Sequence, residues 1–71
     1  MRPAMTALAP NTDGARRLAE LDAQVRVAWR EYRDSLTGLP AREYDEREPA
    51  EWDQLQATLR ELDAERARVA A

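Results

Sequence analysis

Five carboxylates crowd one short stretch of the chain: Glu43, Asp45, Glu46 and Glu48, followed by Asp53. Carboxylates in such numbers hold a hard cation through oxygen ligands, or share a proton for acid–base work. Two features argue against both uses. Arg42 and Arg47 are interleaved with the acids, and the D-x-D-x-D-G order of a calcium loop is absent. The stretch reads as a solvated acidic segment rather than a metal site.

A second constellation is cationic. Arg26, Arg30 and Arg33 recur at helical spacing, with Trp29 and Tyr32 beside them. Arginines interleaved with aromatic rings grip phosphates and stack bases, so this ridge is the chain's strongest nucleic-acid signal. The same residues also fit an exposed helix flank. Asp22 precedes Arg26 by four residues and Asp34 follows Arg30 by four, the spacing of ordinary surface ion pairs. The net charge of −3 weighs against polyanions as partners.

The residues the chain lacks exclude more chemistry than those it has suggest. All eleven basic residues are Arg, and there is no Cys, His, Lys, Ile or Phe. Without Cys there is no thiol nucleophile, disulfide or zinc thiolate site. Without His there is no imidazole base and no common transition-metal ligand. Without Lys there is no Schiff base or P-loop lysine. A non-enzyme is expected, with no cofactor, no metal and no small-molecule substrate. Arg and the fourteen Ala residues have GC-rich codons, which suggests a bacterial or phage origin.

The elements that carry these residues follow from a seven-residue apolar rhythm. Leu18, Leu21, Val25, Ala28, Trp29, Tyr32 and Leu36 fall on one stripe about 100° wide, with Val27 opposite. A second stripe holds Trp52, Leu55, Leu59, Leu62 and Val69. Gly38 and Pro40 stop the first helix, and Pro49 suits the first turn of the second. The expected layout is a disordered arm over 1–12 and a hairpin over 13–71. Within it, a helix over 13–37, capped by Thr12 or Asp13, leads through a connector over 38–48 to a helix over 49–70. No apolar run approaches the roughly 20 residues that span a bilayer, and residues 1–12 lack the apolar core of a secretory signal. A cytoplasmic protein without membrane contact is expected.

Facing residues of an antiparallel hairpin have a nearly constant sum of residue numbers. Pairing Leu36 with Trp52 sets that sum at 88 and puts Trp29 opposite Leu59, Tyr32 near Leu55 and Val25 near Leu62. The two tryptophans are then not direct partners. The one charged residue at a core-type position of the second helix, Arg66, falls opposite Asp22. An inter-helix ion pair, partly shielded, is expected there to set register.

The fold class expected is all-α: a coiled-coil-like antiparallel two-helix hairpin that completes a four-helix bundle by dimerisation. So small a chain has few large apolar side chains to bury, which calls for a partner, either a second copy or another helical protein. Leu18, Leu21, Val25, Trp29, Tyr32, Leu36, Trp52, Leu55, Leu59 and Leu62 are the candidate core and interaction residues. The function expected is a small non-catalytic interaction or structural module. The alternative is an accessory nucleic-acid binder using Arg26, Arg30 and Arg33.

Overall fold

Thr37 to Pro40 reverse the chain. Gly38 adopts φ +77°, the left-handed conformation that a glycine accepts without steric cost. Ahead of it the helix tightens: the Thr37 amide donates to the Asp34 carbonyl at 3.3 Å and its hydroxyl donates to the Arg33 carbonyl at 2.8 Å. Behind it the Pro40 carbonyl accepts from the Tyr44 amide at 2.9 Å, the first bond of the next helix.

The structure, a computed structural model, describes the backbone of residues 2–70 and the side chains of residues 13–70. It holds two helices, α1 (Arg2–Leu36) and α2 (Ala41–Ala70), packed against each other as a helical hairpin. Arg66 reaches Asp22 far from the turn, and Glu48 reaches Tyr32 close to it, so the helices run antiparallel. The Cα trace is only 8 Å deep in its thinnest direction.

The helix bounds differ from those expected. Asp13 and Gly14 lie inside α1 rather than at its start. The segment ahead carries Ala4, Met5, Ala7, Leu8 and Ala9, strong helix formers, alongside Pro3 and Pro10. The arm expected over 1–12 falls outside the residues whose side chains are described. The connector expected over 38–48 shrinks to residues 37–40, because α2 begins at Ala41 and runs unbroken past Pro49. Ala41, Arg42, Glu43, Glu46, Arg47 and Glu48 all favour helix, and Glu43 in the first turn suits its positive dipole end. Pro49 costs α2 one hydrogen bond, that to the Asp45 carbonyl, and introduces a ring clash there. The helix tolerates both.

The core is narrow. Leu21, Ala28 and Leu36 of α1 and Leu55 of α2 are its buried hydrophobic side chains among the described residues. Leu21 is fully enclosed, and Leu55 is the buried residue of α2. No buried side-chain nitrogen or oxygen among the described residues lacks a partner. No described helix is long and apolar enough to cross a membrane.

Candidate interaction face

Where α1 nears the turn, its apolar stripe presents Trp29 and Tyr32 one turn apart, and α2 places Trp52 against both. The three rings form a closed edge-to-face set. Ring centroids lie 6.1 Å apart for Trp29–Tyr32, 6.2 Å for Trp29–Trp52 and 5.8 Å for Tyr32–Trp52. These separations suit the attraction between ring edges and ring faces. The tryptophans are thus direct partners, which corrects the register expectation. Trp29 meets Trp52 about two helical turns nearer the hinge than Leu59, the residue expected opposite it. The physical reason is the early start of α2: the turn is centred close to Gly38 rather than at Tyr44.

Beneath the rings, the Tyr32 hydroxyl donates to Glu48 Oε2 at 2.6 Å. That bond, then burial, then the Glu48 charge favour the neutral phenol and push its pKa up to about 12. Glu48, read in the sequence as part of an acidic cluster, is therefore a half-buried structural acceptor. Glu43, Asp45, Glu46 and Asp53 are exposed and spread around α2 at about 100° per residue. No group of three or more metal-ligating side chains converges among the described residues.

At the far end of the hairpin, ion pairs join the helices. Arg66 Nη2 donates to Asp22 Oδ1, the pairing expected from the register. Its side chains remain 42% and 51% exposed, so the pair bridges the helices at the surface, only partly shielded from water. Arg17 Nη1 pairs with Glu20 at 3.1 Å, and its Nη2 reaches Glu65 across the hairpin at 3.7 Å. Arg68 also donates to Glu65. That hydrogen bond, then the Arg68 charge, hold the Glu65 carboxyl below the usual carboxylate range.

Two open grooves run between the helices on opposite faces. One, about 250 Å³, is lined by Val25, Leu59 and Leu62 with Asp63 and Arg66 at its edge. The other, about 480 Å³, has Ala28, Tyr32 and Leu55 at its base but is walled by Glu31, Asp34, Ser35, Glu51, Gln54 and Thr58. One face is apolar and the other polar. Helical geometry puts Trp29 and Trp52 on the apolar side, each within about 40° of a groove-lining neighbour, Val25 and Leu59 respectively.

Of the candidate residues, Leu21, Leu36 and Leu55 are buried. Leu18, Val25, Trp29, Tyr32, Leu59 and Leu62 are partly covered. Trp52 stays 41% exposed, as does Val27 on the outer side of α1. Arg26, Arg30 and Arg33 are exposed, and none forms an ion pair with a described residue. The i,i+4 pairs expected with Asp22 and Asp34 are not made; Arg66 has taken Asp22 instead. The Tyr32–Glu48 bond and the contact between tryptophans are what sequence reasoning missed; the helix-forming composition of 41–48 was the signal for the early start of α2 that brings the tryptophans together. Comparison with protein-family models, curated proteins and solved structures finds no match to this chain.

Proposed function

We propose that this chain is a non-catalytic helical interaction module of the cytoplasm. Its hairpin pairs with a second copy through the apolar face to complete a four-helix bundle. One observation carries the reading. The described helices and turn hold fourteen large apolar or aromatic side chains, yet only Leu21, Leu36 and Leu55 are buried within the hairpin. Val25, Leu59 and Leu62, with Trp29 and Trp52 on the same side of the hairpin, line a surface that a second apolar layer would cover. Four helices around a shared core are a standard solution for such faces.

Sedimentation equilibrium tests the proposal. The expected result is a dimer at micromolar concentration, weakened at least tenfold by Trp52→Ala while the helical circular dichroism persists. A folded monomer at every concentration would reject it. A single species larger than a dimer would replace the four-helix bundle with a bigger one on the same face.

A second reading rests on Arg26, Arg30 and Arg33, which are exposed without acidic partners among the described residues. It makes the chain an accessory nucleic-acid binder whose affinity falls steeply with salt. Retention of short DNA or RNA at low salt, lost in Arg26→Gln/Arg30→Gln/Arg33→Gln, supports it. Absence of retention removes it.

A further inference from the structure

On the apolar side of the hairpin the two helices carry opposite charge at matching heights. Taking about 100° per residue, Arg26 and Arg33 lie within about 60° of Trp29, and Arg30 about 100° from it on the same flank. On α2, Asp45 lies about 20° from Trp52 and Asp53 about 100° from it, again toward the outer flank; Arg42 and Arg60 share that flank at about 80°, but lie beyond the two acids along the helix, on either side of them. All of these charged residues are exposed, and none of them is ion-paired with a described residue. The levels along the hairpin are set by observed contacts. Trp29 and Tyr32 meet Trp52, while Arg33 and Tyr44 line one hollow at the turn. Arg30 is therefore level with Asp53, and Arg33 with Asp45.

Two closed two-fold arrangements bring apolar faces together. In one, each α1 lies over the other α1, and six arginines of the two ridges crowd along one seam. Like charges so placed oppose association. In the other, the two-fold axis runs along the helices, and each α1 lies over the second copy's α2 with both turns at the same end. The ridge then meets acids. Building on the dimer proposed above, we infer that the second arrangement is the native one. Arg30 pairs with Asp53 of the second copy, and Arg33 with Asp45 of the second copy. The two-fold repeats both pairs. The area is sufficient. The stretch Asp13–Leu36 of α1 spans about 36 Å at 1.5 Å per residue, and the hairpin is 21 Å wide. That gives a face on the order of 700 Å² in projection, close to the roughly 800 Å² per partner of a standard interface.

Two complementary variants test this on the full chain, with circular dichroism as the folding check. Arg30→Glu/Arg33→Glu and Asp45→Arg/Asp53→Arg should each dimerise at least tenfold more weakly than the wild type. Their 1:1 mixture should return to within about threefold of it, because each contact again joins opposite charges. Asp45→Arg/Asp53→Arg dimerising like the wild type would overturn the inference in favour of α1 over α1, while leaving the dimer intact. A monomeric wild type would instead reject the underlying dimer. An open-ended polymer would reject the closed arrangement, since it signals the arginine face seated on the acidic back of the next copy. The absence of Cys supplies an independent readout. Arg30→Cys and Asp53→Cys proteins, mixed and oxidised, should give the mixed cross-linked dimer in excess over Arg30→Cys linked to itself. The reverse excess would refute the arrangement.

Discussion

Leu55→Ala is the sharpest test of how the hairpin holds together. Leu55 is 3% exposed and is the buried side chain of α2. Truncation removes three carbons, the equivalent of about 2.4 kcal/mol at roughly 0.8 kcal/mol per buried methylene. A sealed cavity would add more, toward the upper end of the 2–5 kcal/mol range for such changes. Here the site borders an open groove lined by Ala28, Tyr32 and Thr58, so neighbours and water relax into the space. The expected loss is therefore about 2–3 kcal/mol. At roughly 4–8 °C per kcal/mol for a domain this small, the melting temperature falls by about 10–20 °C. Thermal melts followed by circular dichroism at matched protein concentration would read it, since association makes the midpoint concentration-dependent. Val27→Ala is the control: 41% exposed on the outer side of α1, it should move stability by less than about 0.5 kcal/mol. A Leu55→Ala melt within a few degrees of the wild type, or a Val27→Ala loss of equal size, would refute the assignment of the core.

Three further outcomes are expected. Tyr32 should ionise at about 12, and Glu48→Gln should bring it back toward the ordinary 10, as read by ultraviolet titration of tyrosinate. Because the folded value lies above the unfolded one, this stabilisation is complete below about pH 10 and is lost as pH rises through about 12. Pro49→Ala should raise stability by about 1–3 kcal/mol in urea unfolding, by returning a donor to the Asp45 carbonyl; destabilisation would contradict a continuous α2. Gly38→Ala meets no atom within 4 Å, so its cost is conformational, about 1–2 kcal/mol, and Gly38→Asn should cost less. Equal losses for both would show that something other than the left-handed angle matters there.

The hairpin itself was legible because apolar spacing and a glycine stop are strong signals. Leu21, Leu36 and Leu55 stand on the stripes read from the sequence, and Gly38 occupies the left-handed position expected of it. The start of α2 was not legible by the same means. Tyr44 is the only large apolar or aromatic residue between Ala41 and Glu48, so no stripe marks that segment as helix. Pro49 favoured a boundary that residue propensity overrode. That displacement moved the turn, and with it the partners of Trp29. The Asp22–Arg66 pair survived the error because a long guanidinium side chain bridges a register offset that shorter side chains do not. The Tyr32–Glu48 bond had no sequence pattern at all, since it depends on the spatial approach of two elements rather than on spacing within one.

The sequence Gly38-Leu39-Pro40 also governs which topology this chain avoids. Joined helices of similar length differ from one straight rod by a handful of backbone angles, and rods exchange arms with their neighbours. Pro40 cannot donate the amide that a through-going helix would need, and its ring drives Leu39 out of the helical region. An opened chain would recover Asp22–Arg66 and the contact between tryptophans only by borrowing another molecule's second half, leaving two chains interlocked. By keeping the bend shut, these three residues disfavour that exchange of arms.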